Sequence, residues 1–189
     1  MQMERAEVSL REGESHKLSL VDNFGSGVAC GEVEIVYRGN ELKLLFSVKD
    51  GDIISFGTRY NEPLWKGDTA ELFLSLGRDT RYLELEVNPD GVLYAAVVEN
   101  GGDGIFELEF LPDPPFEAET ERTAAGYRSR WTIGLDKLID FGFDVASVRF
   151  NAFVQDYTRE GLKLYAAFPT MLNTFHVPRA FGRLVLKDK

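Results

Sequence analysis

The sequence predicts an all-β fold: a single-domain antiparallel β-sandwich, jelly-roll-like, with one short helix. Three observations predict it. Apolar residues recur at every second position over short runs, most plainly in 69–76 and 82–88. That period belongs to strands, whose successive side chains face opposite sides of a sheet. The runs are separated at regular intervals by turn residues such as Arg38-Gly39-Asn40 and Asn88-Pro89-Asp90-Gly91. One segment alone, 135–139, reads as a helix. A chain of 189 residues is long enough for one sizeable core. Neither repeats nor a linker divide it, so 1–189 reads as one domain, with 1–38 as its lead-in.

Residues 7–20 form a polar lead-in with weak alternation, and 22–31 a loop carrying Gly25, Gly27 and Gly31. The loop lacks the glycine spacing of a dinucleotide fingerprint, and no clear helix follows it. Strands are expected at 32–37 and 41–49; in the second, Leu42, Leu44, Phe46 and Val48 share the core face. Asp50-Gly51-Asp52 ends that strand, 53–56 is a short apolar piece, and 57–67 is a loop holding Trp65. The runs 69–76 and 82–88 form a hairpin around a turn at 77–80. Its core face carries Ala70, Leu72, Leu74, Leu83, Leu85 and Val87; its other face carries Glu71, Phe73, Tyr82, Glu84 and Glu86.

Strands at 92–99 and 105–110 flank a glycine-rich turn, 100–104. Leu111-Pro112-Asp113-Pro114-Pro115 then breaks the ladder. Residues 116–123 and 127–133 pair across Ala124-Ala125-Gly126. Strands at 148–156, 162–168 and 182–186 follow, and the loop 169–179 holds Phe175 and His176.

Lys and Arg number 21 against 31 Asp and Glu, a net charge of −10. That balance repels nucleic acid and anionic membrane surfaces, so neither is expected as a partner. A single cysteine, Cys30, excludes an internal disulfide framework and a cysteine-rich zinc site, and reads as a small buried hydrophobe. The charged N-terminus has no signal-peptide pattern, and no apolar run is long enough to cross a bilayer as a helix. As written the chain reads as cytoplasmic, and as extracytoplasmic if a signal was trimmed, so no compartment is assigned.

No nucleophile elbow, phosphate loop or zinc-binding histidine pair is present. His16 and His176 are too few for a His-rich metal site, and a lone loop histidine reads as solvated. The faces turned away from the core instead pool Glu71, Tyr82, Glu84, Arg149, Asn151 and Gln155. Carboxylates accept from hydroxyls, guanidinium donates and amides do both, which suits a neutral polyol ligand. Aromatic rings can cover the C–H face of a sugar, and Trp65 and Phe175 are loop aromatics. Core packing at a sheet end explains Trp65 equally well, and a solvated sheet face explains Glu86. Glu84 and Glu86 lie about 7 Å apart along one strand face, within the roughly 6.5–9.5 Å of an inverting glycosidase, a pattern that any strand with alternating acids meets.

The pieces P-L-W-K-G-D-T-A-E-L-F-L (63–74) and Y-L-E-L-E-V-N-P-D-G (82–91) resemble the family 9 carbohydrate-binding modules and their wider DOMON-like relatives. R-F-N-A-F-V-Q-D (149–156) and F-H-V-P-R-A-F-G-R-L-V-L (175–186) agree in order, so the resemblance runs from about Gly39 to the end. It implies a β-sandwich that binds a mono- or oligosaccharide without catalysis, of xylan or glucan type, holding a terminal sugar between two tryptophans. Trp65 matches the first; Phe175 stands where the second sits, offering a smaller ring without an N–H. Glu71 matches a sugar-binding glutamate, Asn173 lies in the matching ligand loop, and Glu86 falls near a sugar-binding arginine. The family often carries structural calcium, for which Asp50 and Asp52 are the candidate ligands. The resemblance also leaves two alternatives: a DOMON-like haem-binding electron-transfer domain using Met171 and His176, and a glycoside-active enzyme using Glu71 with Glu84 or Glu86.

Overall fold

The computed structural model describes residues 6–78, 80–101, 105–142 and 148–187, with the backbone alone for 76–78. The described strands are β1 (Glu7–Arg11), β2 (Ser15–Asp22), β3 (Ala29–Arg38), β4 (Glu41–Lys49), β5 (Thr69–Arg78), β6 (Arg81–Val87) and β7 (Leu93–Asn100). They continue with β8 (Phe106–Phe110), β9 (Phe116–Thr123), β10 (Gly126–Gly134), β11 (Val148–Thr158), β12 (Gly161–Ala166) and β13 (Gly182–Lys187). One helix, α1 (Leu135–Asp140), follows β10 and buries Leu135 and Leu138. The all-β sandwich with one short helix is therefore the observed architecture.

Hydrogen bonding runs unbroken in the order β8-β7-β6-β5-β11-β12-β2-β3-β4-β10-β9, while β13 joins β1 to β11. All described pairs are antiparallel except β1 with β13. The path folds back on itself near the short β12–β2 junction, which is pairing of Tyr165 with Asp22 and Ala166 with Val21. The inner faces of β3, β4 and β10 thereby share one core with the inner faces of β5, β6, β7 and β11. Leu42, Leu44, Phe46 and Val48 of β4 are buried there, together with Ala70, Leu72, Leu74, Leu83, Leu85 and Val87. Each fully buried Leu or Phe contributes about 1.5–3 kcal/mol through removal of apolar area from water. That core selects the register, because a one-residue slip would turn β5's leucines outward.

Two expectations change. The lead-in 7–20 is strand, β1 and β2. Alternation is weak in β2 because Ser15, His16 and Lys17 are exposed, Leu20 is buried in the core and Leu18 is only partly buried against it. The turn expected at 77–80 is shorter, because β5 continues through a bulge to pair Arg78 with Arg81; Asp79 lies outside the described residues. Residues 102–104 of the expected glycine-rich turn also lie outside them.

Candidate functional site

A two-layer sandwich leaves one face of each layer without a sheet partner. On β5, β6, β7 and β11 that face carries Glu71, Phe73, Tyr82, Glu84, Glu86, Tyr94, Asn151, Phe153 and Gln155, by strand parity. Glu71 lies opposite Glu86 on one side and Phe153 on the other, and Glu86 lies opposite Tyr94. Chain from 169 to 181 and side chains of β8 and β12 cover this face. Phe175, Phe181, Leu108 and Leu164 pack with Phe73, Tyr82 and Phe153 in a second apolar cluster. The cover is pinned by Asn23, which is fully buried. Its amide donates to Thr170 Oγ1 (2.8 Å) and to the Leu172 carbonyl (2.7 Å), and its carbonyl accepts from Thr170 N–H (2.7 Å).

The cover is incomplete. A cleft of about 330 Å³ remains, lined by Trp65, Glu71, Glu84, Glu86, Tyr94, Phe106, Leu108, Gln155, Leu162, Leu164 and the run Asn173 to His176. Trp65 is 38 % exposed and meets the Tyr94 ring edge-on at 5.4 Å. It sits on a 3-10 turn, Leu64–Lys66, whose carbonyls are held from below. Gln155 Nε2 donates to the Trp65 (2.6 Å) and Gly67 (3.1 Å) carbonyls, and Tyr157 Oη also donates to Trp65 (3.2 Å). Gly67 is required there, because a Cβ would lie 2.5 Å from the Ile54 carbonyl oxygen.

Three carboxyl groups share the cleft. Glu71, Glu84 and Glu86 are 3 %, 5 % and 1 % exposed, and one oxygen from each lies within 4.8 Å of the others. Thr69 Oγ1 donates to Glu71 Oε1 at 2.8 Å. Among the described residues no donor reaches Glu84 Oε2 or either oxygen of Glu86, and the buried Tyr94 Oη has no partner. Burial, then the charge of Glu84, pushes Glu71 up to about 8, and burial pushes Glu84 up to about 7. Glu86 is held well above the carboxylate range by burial and by its two acidic neighbours. His176 is driven down to about 4 by burial, so it is neutral at pH 7. No lysine or arginine is among the lining residues.

The expected residues divide accordingly. Trp65, Glu71, Glu84, Glu86, Asn173 and Phe175 line one cleft. Phe175 is only 6 % exposed and stacks on Phe153 at 4.2 Å, so it is a packed wall and not a free ring. The solvated reading of Glu86 fails, because Tyr94 and the covering chain exclude water from it. Tyr82, Arg149 and Asn151 do not line the cleft. Tyr82 is buried beneath it, its Oη 2.7 Å from His176 Nδ1. Asn151 spends both amide ends on the Phe168 backbone, and Arg149 Nη2 reaches Ser75 Oγ at 3.4 Å. His176, expected in solvent, is partly buried and stacks on Phe106 at 4.3 Å. Tyr94 and Phe106 escaped sequence reading; extending the hairpin register one strand further, from Glu86 to Tyr94, would have found the first.

A second acidic group lies where β5 begins and β11 nears its end, on the opposite face by strand parity. Asp50, Asp68 and Asp156 each place an oxygen within 4.8 Å of the others. Asp68 accepts from Ile54 N–H (2.5 Å) and Tyr157 N–H (2.7 Å), whereas Asp50 Oδ2 and Asp156 Oδ1 have no partner. Burial raises Asp68 to about 7 and Asp156 to about 6. Asp52 is exposed and outside this group; its N–H closes a turn on Asp50 Oδ1 at 2.9 Å. Of the expected pair only Asp50 is in place, and its companions come from remote strand ends. Three oxygen donors with orphaned buried atoms fit a hard cation such as calcium.

No known family profile matches the sequence. A relative from Arthroderma benhamiae, described as an extracellular protein, is 32 % identical over 110 residues. That alignment covers 53 % of this chain and 50 % of the relative, so the chain spans about half the length of the curated relative it matches. Among solved structures, a Bacteroides uniformis protein described as carbohydrate-binding superposes with a TM-score of 0.76 at 16 % identity, covering 97 % of this chain and 100 % of that one. A family 9 carbohydrate-binding module from Caldicellulosiruptor kristjanssonii, in complex with glucose, gives 0.64 at 17 % identity over 97 % and 96 %. A family 9 carbohydrate-binding module from the same organism, in complex with cellotriose, gives 0.62 at 18 % over 97 % and 94 %. Cleft, cover and double layer together are carried on the β-sandwich fold of the family 9 carbohydrate-binding modules.

Proposed function

We propose that the chain is a non-catalytic carbohydrate-binding module that takes a mono- or oligosaccharide in the Trp65 cleft. The observation that carries this reading is a half-exposed tryptophan beside buried carboxyl groups in a cleft of about 330 Å³. A ring face covers the apolar C–H face of a sugar, and carboxyl oxygens accept from its hydroxyls. The fold neighbours with bound glucose and cellotriose support the substrate class. Xylan or glucan origin and a terminal sugar stay part of the proposal. A non-catalytic role is the reading that the clustering favours: Glu71, Glu84 and Glu86 each bring one oxygen within 4.8 Å of the others, on one side of the cleft. Glycosidases instead set two carboxyls on opposite sides of a bond, roughly 5–9.5 Å apart. His176 is engaged with Tyr82 and Phe106, and Met171 is exposed, an arrangement that favours no haem.

Asp50, Asp68 and Asp156 would hold a structural calcium, tying the 50–56 segment to the strands that carry Trp65's supports. Calorimetry with neutral and amino monosaccharides and with cello- and xylo-oligosaccharides tests the main reading. Saturable binding that Trp65→Ala abolishes is expected; no heat from any sugar at millimolar concentration would overturn it.

A further inference from the structure

The cleft is acidic throughout. Five groups that titrate face it: Glu71 from β5, Glu84 and Glu86 from β6, Tyr94 from β7 and His176 from the covering chain. None is a cation at neutral pH, and among the described residues no lysine or arginine lines the cleft to balance the carboxyls. A neutral sugar hydroxyl brings one proton and no charge. Glu84 Oε2 and both oxygens of Glu86 have no donor among the described residues, and a single hydroxyl would satisfy one of the three. Orphaned buried acceptors cost roughly 1–3 kcal/mol each, more when charged.

Resting on the carbohydrate-binding reading, we infer that the preferred ligand is a cationic sugar, whose primary ammonium group sits among Glu71, Glu84 and Glu86. The geometry matches. Three oxygens within 4.8 Å of one another all lie within about 2.8 Å of a common point, the length of a charge-assisted N–H···O bond. An ammonium offers three N–H donors for three acceptors. The independent observation is Tyr94, fully buried, its Oη without a partner and its side chain in the same cleft. That hydroxyl is free to donate to, or accept from, a neighbouring sugar hydroxyl. The Tyr94 and Trp65 rings line the same cleft. The cleft volume exceeds what a bare ion needs and leaves room for the sugar ring against Trp65. Ammonium binding would ionise the triad, so protons leave the carboxyls as the ligand enters; affinity strengthens as pH rises through the acid range and falls again once the amine loses its own proton.

The test is calorimetry at pH 7 with D-glucosamine, D-glucose and N-acetyl-D-glucosamine, repeated in two buffers of different ionisation enthalpy. Glucosamine is expected to bind at least about tenfold tighter than the other two, with buffer-dependent heat that reports proton release. Glu86→Gln, which keeps shape, is expected to erase that preference, bringing the affinity for glucosamine down to that for glucose. Equal affinity for all three sugars, still dependent on Trp65, would overturn this inference and leave the carbohydrate reading standing. No binding by any sugar would overturn both. Calcium binding that Glu84→Gln and Glu86→Gln abolish, with no preference for the amine, would make the triad a metal site and overturn it as well.

Discussion

Trp65 and Trp131 divide the tryptophan content of the chain between two jobs. Trp131 is 1 % exposed and packs against Phe46 and Phe116 in the main core, whereas Trp65 keeps more than a third of its surface in solvent. A large aromatic held exposed by three hydrogen bonds to its turn is placed for contact with something outside the fold. Trp65→Ala is expected to weaken sugar binding by at least about tenfold, as for an aromatic anchor, with little change in melting temperature; calorimetry and thermal unfolding check the two halves. Glu86 is the opposite kind of residue, because it costs stability. Its folded pKa lies above the unfolded value, so its cost is absent at low pH and grows as pH rises past the unfolded value near 4.5. The melting-temperature difference between Glu86→Gln and the parent is therefore expected to increase from pH 5 to pH 9. The place of Glu71 in the cleft could be read from strand parity beside Trp65. The burial of Glu86 could not, because nothing near it in sequence says which chain covers its face.

The elements explain that gap. The hairpin of β5 and β6 was legible because local alternation sets which side chains share a face. What lies on the outer face depends on residues 169–181, which are about a hundred positions away and carry no periodicity. The tie that holds them, Asn23, stands in a glycine-rich stretch that reads as a plain connection. Three hydrogen bonds from one buried amide make it a clamp. Asn23→Ala is expected to cost about 1–3 kcal/mol, since it leaves Thr170 N–H and its neighbours without partners. Hydrogen exchange should quicken in residues 170–176 before it does so in β5 or β11. Tyr82 and Asn151 show the same limit from the other side. Parity put them on the right face, but the covering chain took their polar groups for itself.

At the scale of the whole molecule, two buried groups of acids sit in a chain of net charge −10. Glu71 and Glu84 are raised from 4.5 to about 8 and about 7, and Asp68 and Asp156 from 3.8 to about 7 and about 6. Each raised acid binds a proton more tightly folded than unfolded. Stability of the chelator-treated protein is thus greatest below the unfolded values and falls as pH climbs from about 4 to about 8. Calcium at a hundred times its dissociation constant should restore about 2.7 kcal/mol at pH 8 if Asp50, Asp68 and Asp156 hold it, and much less after Asp68→Asn. The sandwich itself was readable from strand period and turn chemistry. The closure of the hydrogen-bonded path through two residue pairs of β12 and β2, and the meeting of Asp50 with Asp68 and Asp156, are long-range outcomes without a local signature.

The central claim is that a sugar rests on Trp65. The two indole N–H signals of the protein give the most direct check, because Trp131 serves as an internal control. On titration with glucosamine or cellotriose, the Trp65 indole resonance is expected to shift and saturate while that of Trp131 stays fixed. A titration that leaves the Trp65 signal unmoved, with either ligand in millimolar excess, would contradict the account.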